Sequence, residues 1–203
     1  MKTKSIFTLA ILALAITLVS FAPPAVTKYK VDTKQSTLVW TGKKVTGQHT
    51  GTISLASGEF AAEGTQIKSG SFDVDVASLA DTDITNPEGK AKLERHLKSD
   101  DFFGVEKYPT ANFVVSSVTL KSGNEYTVKG KLTIKGKTND IEFPAVVATE
   151  GKNLVATARI TVDRSKYDVR YGSKSFFDNL GDKYIDDEFQ LDLKLVGVPN
   201  AGA

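Results

Sequence analysis

From Tyr29 onward, apolar and polar residues alternate with a period of two. In Ser71–Val76, Phe72, Val74 and Val76 fall on one face and Ser71, Asp73 and Asp75 on the other. The same rule groups Leu154, Ala156, Ala158, Ile160 and Val162, and later Phe189, Leu191, Leu193 and Leu195. Thr37–Val45, which carries Trp40, is a further run. Successive side chains of a strand point to opposite faces, so each run predicts a strand with one dry and one wet side. Ser57-Gly58, Ser69-Gly70, Ser122-Gly123-Asn124 and Glu150-Gly151-Lys152-Asn153 separate the runs and predict turns, because Gly and Asn tolerate positive φ. About eight strands are expected between Thr37 and Val196, and their short links imply an antiparallel meander. Closure into a barrel removes exposed edges. A two-sheet sandwich is the alternative.

Two segments break the alternation. In Ala80–Pro109 a helix is predicted from Asn86-Pro87, since Pro suits a first turn. Leu93 and Leu97 share one face of it, while Glu94, Arg95 and Lys98 face water. It runs into Asp100-Asp101-Phe102-Phe103-Gly104. The second break, Asp163–Asp186, is a long loop of the kind that covers or serves a site. Phe176 and Phe177 are expected to pack into a barrel mouth there.

The first residues read differently. Lys2 and Lys4 precede the apolar run Ile6–Val19, and small residues follow at Ala22 and Ala25. This predicts a secretory signal peptide over residues 1–25, cleaved near Ala22 or Ala25, and a single domain over 26–203. The run is short for a membrane span, which takes roughly 20 residues. Taking Lys2 and Lys4 from the 26 basic residues leaves 24 against 24 acidic ones. A balanced charge argues against nucleic acid as a partner. The chain has no Cys, so neither disulfides nor thiolate metal sites are available.

The candidate chemistry is sparse. His49 and His96 are the only histidines, and neither stands in a metal-binding spacing. His96 suits a helix end and His49 a turn. Asp73/Asp75, Asp100/Asp101 and Asp186/Asp187 are carboxylate pairs without the cleft that acid–base catalysis needs. No nucleophile elbow or phosphate loop is present. No catalytic residue, metal or cofactor is therefore assigned. Arg164 and Tyr167 follow a strand and open the long loop, where a guanidinium could hold a phosphate or carboxylate head group. Trp40, Phe72, Val74, Phe113, Leu132, Ile134, Phe143, Ala156, Ala158 and Phe177 are the candidate apolar contacts of a ligand inside the barrel. The same residues could equally fill a solid core.

Several blocks occur together: Tyr29-Lys30-Val31-Asp32, Ser36–Trp40, Gly47–Gly51, His96–Phe103, Tyr108–Phe113, Gly130–Thr138 and Asp163–Tyr167. In these the chain resembles the YceI-like proteins, exported bacterial lipocalin-like barrels associated with polyisoprenoid or other lipid binding. Ser173–Tyr184 is longer than the family's simplest form. The resemblance implies an all-β, antiparallel, eight-stranded barrel with a short helical insertion. It also implies a long apolar tunnel holding an isoprenoid-like chain, and periplasmic or secreted placement. The function expected is non-enzymatic binding, transport or storage of a polyisoprenoid or similar amphiphile. Transient contact with a membrane or membrane protein, and a homodimer, are compatible with it. A stress-related barrel with a packed interior and an enzyme acting on a bound lipid stay open as alternatives.

Overall fold

The protein was analysed as a computed structural model that describes residues 25–200. Apart from Ala25, the expected signal segment lies outside the described residues. Nine strands and one helix follow in the order β1 (Thr27–Val31), β2 (Thr37–Lys44), β3 (Gly47–Glu63), β4 (Gln66–Asp81), α1 (Pro87–Lys98), β5 (Thr110–Ser122), β6 (Glu125–Ile134), β7 (Lys137–Glu150), β8 (Asn153–Asp163) and β9 (Ile185–Pro199).

All pairings are antiparallel, and each strand from β3 to β9 pairs with its chain neighbour. β2 lies between β3 and β9, which closes the ring. β1 also lies between β3 and β9, farther along both strands: Tyr29 is opposite Phe60 and Pro199, whereas Trp40 is opposite Gly51 and Leu191. β1 and β2 are thus one strand position interrupted by a turn. The Asp32 carboxylate makes that turn, accepting from the backbone N–H groups of Lys34 (2.9 Å) and Gln35 (3.1 Å). The barrel therefore has the eight strand positions expected.

The inward faces follow the period-two reading. Leu154, Ala156, Ile160 and Val162 are buried, and Phe189, Leu191 and Leu195 pack in the two core clusters. The Lys135-Gly136 turn between β6 and β7 has both residues at positive φ (50° and 72°), as a tight hairpin requires. Gly123 and Gly151 also occupy turns, as expected.

Ser57-Gly58 and Ser69-Gly70 do not. They lie inside β3 and β4, and the turn between these strands is made at Gly64, with φ +60°. Their glycines serve packing instead. A Cβ on Gly58 would stand 2.8 Å from the Phe72 ring, and one on Gly70 would stand 3.0 Å from both the Phe60 Cβ and the Phe72 ring. Glycine inside a strand marks close approach of another group, here an aromatic ring.

The helix begins where the Asn-Pro pair predicts. Asn86 caps it, its side-chain oxygen accepting from Gly89 N at 2.8 Å, with Pro87 in the first turn. Glu94 Oε1 accepts from the backbone N–H of Asp81 (2.9 Å), which ties the helix to the end of β4. Beyond the helix, Phe103, Gly104 and Val105 donate backbone hydrogen bonds to Leu97, Ser99 and Lys98. The aromatic loop is thereby folded back onto the end of the helix.

Candidate apolar cavity

A cavity of about 530 Å³ occupies the part of the barrel beneath the helix. Its wall is built from inward positions of six strands: Leu38 and Trp40 (β2), Ile53 (β3), Val74 and Val76 (β4), Ala111 (β5), Leu132 and Ile134 (β6), and Phe189 and Leu191 (β9). The helix contributes Leu93 and Leu97, and the loop after it Phe102 and Phe103. The helical face predicted from the Leu93–Leu97 spacing is the face that covers the cavity.

The cavity has a floor. Val74 and Ala111 are opposite each other in β4 and β5 and line it. One inward step along, Phe72 is opposite Phe113, their rings stacked at 6.4 Å, and Phe113 meets Phe143 at 5.5 Å. The stack continues from Phe72 to Phe60 (6.2 Å) and to Tyr29 (5.0 Å). Beyond it, Leu55, Ile67, Tyr126, Val147, Leu154, Ala156 and Leu195 form a second packed cluster. Glycines opposite the rings admit them. A Cβ on Gly130 would stand 2.4 Å from the Phe113 ring, and one on Gly197 would stand 2.2 Å from the Phe60 ring.

The expected contacts therefore divide. Trp40, Val74, Leu132 and Ile134 line the cavity. Phe72, Phe113 and Phe143 belong to its floor. Ala156 lies in the packed half, and Ala158 packs against the core without reaching the cavity wall. Phe177 is 49% exposed and stands outside it, as does Phe176, whose ring lies under the Arg170 guanidinium at 5.0 Å. The reason is local. The backbone N–H groups of both Phe residues bond to the Ser173 carbonyl, and Val169 and Ser173 take the loop's buried positions instead.

Arg164 lines the cavity but is not a free head-group donor. It is 2% exposed and starts a short 3-10 helix, Arg164–Tyr167. Its Nε donates to Asp186 O (3.0 Å), Nη1 to Val169 O and Tyr171 O (2.9 Å each), and Nη2 to Ile185 O (3.0 Å). Nη2 also lies 3.4 Å from Asp187 Oδ1. The guanidinium thus holds the long loop against the start of β9. Its ion-pair partner is Asp187, which stands in β9 on the far side of the loop. Burial alone would raise Asp187, yet the Ser173 and Ser175 hydroxyls and the Arg164 guanidinium hold its carboxyl below the ordinary range.

Tyr167 is 1% exposed, and its hydroxyl has no hydrogen-bond partner. Burial, helped by the Asp163 charge, pushes it up to about 12. It does not line the cavity.

Sequence reading missed the polar rim. Lys43, Lys44 and Thr46, from the β2–β3 hairpin, face Asp182 and Lys183 of the long loop, and all five are exposed. Among the described residues, none of these three lysines has an ion-pair partner within 4 Å. Both histidines line the cavity as well. His96 is in the last helical turn, as expected, with its ring edge-on to Tyr171 at 4.3 Å. His49 is in β3, not in a turn, and meets Asp83 through Nδ1 at 3.2 Å. The cavity is accordingly greasy inside and ionic at the way out.

The comparisons with known proteins agree with this architecture. A UPF0312 protein of Photorhabdus laumondii is 41% identical over 63 residues, which is 31% of this chain and 32% of that relative. A UPF0312 protein of Pseudomonas putida strain F1 is 30% identical over 154 residues, covering 72% of this chain and 75% of that one. Among solved structures, a polyisoprenoid binding domain from Saccharophagus degradans, implicated in plant cell wall breakdown, superposes with a TM-score of 0.63 at 17% identity. That match covers 85% of this chain and 98% of that one. A model of the YceI-like domain matches residues 29–197, nearly the whole of the barrel, and the chain belongs to that family.

Proposed function

We propose that this barrel binds the apolar chain of a polyisoprenoid or similar long-chain amphiphile in the cell envelope, without chemistry of its own. The observation that carries the reading is the apolar cavity of about 530 Å³, floored by aromatic rings and rimmed by Lys43, Lys44 and Lys183. Its volume falls in the range of about 300–1,000 Å³ typical of small-molecule sites. At interior packing density, about 0.75, it accommodates on the order of twenty carbon atoms. Burying a methylene is worth about 0.8 kcal/mol. Such a chain therefore gains roughly 16 kcal/mol gross, from which association costs of about 4–15 kcal/mol are drawn. Micromolar affinity needs about 8 kcal/mol net, so apolar burial can supply it. The lysines add attraction for an anionic head group. The Saccharophagus domain supports the same ligand class by fold.

Two further observations favour binding over turnover. The Arg164 donors are committed to the protein's own acceptors, and the Tyr167 hydroxyl is buried away from the cavity. Placement in the periplasm or outside the cell, with carriage or storage of the lipid, follows as a proposal from the leader-like first residues.

Native mass spectrometry of the purified chain, followed by solvent extraction, tests the reading. A co-purifying amphiphile, or one-to-one uptake of an added twenty-carbon prenyl phosphate, is the expected result. Absence of both, or conversion of the added lipid to a product, contradicts it.

A further inference from the structure

At the cavity wall three side chains converge, of which only His49 lines the cavity itself. His49 is on β3, Asp81 ends β4, and Asp83 follows two residues later. One ligand atom from each lies within 4.8 Å of the others. His49 Nδ1 and Asp83 Oδ2 are 3.2 Å apart. Neighbouring ligands around a tetrahedral ion with bonds of about 2.1 Å are themselves about 3.4 Å apart, so this pair already has the right spacing.

The remaining carboxylate oxygens are held from behind. Thr50 N donates to Asp83 Oδ1 (3.1 Å), and Ile84 N donates to Asp81 Oδ1 (2.8 Å). Backbone donors of this kind orient ligating carboxylates. They leave one oxygen of each carboxylate for a ligand. That oxygen on Asp81, Oδ2, is buried without a hydrogen-bond partner, on a residue that is 0% exposed. Among the described residues, no Lys or Arg nitrogen comes within 4 Å of either carboxylate. A buried carboxylate held by a single backbone hydrogen bond, here from Ile84 N, is costly, and a cation or a proton offsets it.

We propose that His49, Asp81 and Asp83 form a site for a divalent first-row transition ion at the cavity wall. One imidazole and two carboxylates suit zinc, manganese or iron better than calcium or magnesium, which prefer all-oxygen shells. Three protein ligands leave coordination positions open.

The test uses zinc alone and no lipid, so it is independent of the lipid-binding reading. The chelator-treated full chain is titrated with Zn²⁺ by calorimetry at neutral pH, alongside His49→Ala and Asp83→Asn. Both positions are partly exposed, so both variants are expected to fold, which circular dichroism checks; the buried Asp81 is left intact. One-to-one binding that weakens at least about ten-fold in each variant supports the site. No one-to-one binding by the parent chain, or parent-like affinity in either variant, overturns it.

Discussion

Trp40 lies directly across Gly51, its partner on the adjacent strand. A Cβ at position 51 would stand 2.6 Å from the indole Cζ2 and 1.9 Å from the Ala80 carbonyl oxygen. The glycine thus lets the indole lie flat in the cavity wall. Gly51→Ala must displace backbone as well as ring, because the Ala80 carbonyl cannot swing away as a side chain could. A loss of about 1–3 kcal/mol or more is expected in denaturant unfolding. Trp40 is the only tryptophan, so a shift of its emission should accompany the loss.

The floor sets the depth of the cavity. Phe113→Ala should cost about 3–5 kcal/mol, as large-to-small core changes do. The milder Phe113→Leu should fold and favour a longer chain relative to a twenty-carbon one, as read by competition binding. Ala156→Phe, in the packed half, should instead cost about 1–3 kcal/mol by overpacking, with ligand uptake retained. Loss of uptake without loss of stability would place Ala156 in a continuous tunnel.

Arg164 supplies the donors that hold the long loop. Arg164→Lys keeps the charge but has three donors where four carbonyls and Asp187 are served. A loss of about 1–3 kcal/mol is expected, the range for leaving buried acceptors without a donor. Faster proteolysis between residues 168 and 184 should accompany it. A variant as stable and as protease-resistant as the parent would show that the loop is held by something else.

How far these features were legible in the sequence depends on the kind of feature. Period-two alternation put Phe72, Val74 and Val76 on one inward face, which holds. It could not say that Phe72 lies below the cavity and Val74 beside it. Depth along a barrel axis is set by register between strands, here Phe72 against Phe113, and no single strand encodes it. The mid-strand glycines misled for a related reason. Gly58 and Gly70 make room for rings that come from other positions in the barrel. The role of Arg164 was hidden because its acceptors, at residues 169, 171, 185 and 186, converge only when the loop closes. The rim needed closure too, since it joins Lys43 and Lys44 to Lys183 across some 140 residues of chain. The helix start was local, an Asn-Pro cap, and was read correctly.

Tyr167 provides a pH test. Its hydroxyl titrates near 10 in an unfolded chain and at about 12 in the barrel. The folded state therefore holds a proton that the unfolded state releases, and stability must fall as pH rises between those values. Tyr167→Phe removes a buried hydroxyl that has no partner. It should be near neutral or slightly stabilising at pH 7. Above pH 10 the variant should lose roughly 1–3 kcal/mol less than the parent, measured by urea unfolding across pH. Equal alkaline sensitivity would mean that Tyr167 reaches solvent.

Trp40, in the wall of the apolar hollow, reports directly on whether a lipid chain enters it. Titration of the full chain with a twenty-carbon prenyl phosphate, below the concentration at which the lipid self-associates, should give a saturable one-to-one change in tryptophan emission. It should be weakened in Val74→Trp, which fills the wall, and retained in Phe177→Ala, which lies outside it. Emission that stays constant up to that concentration, in a protein that also carries no lipid when purified, would contradict lipid binding in the hollow.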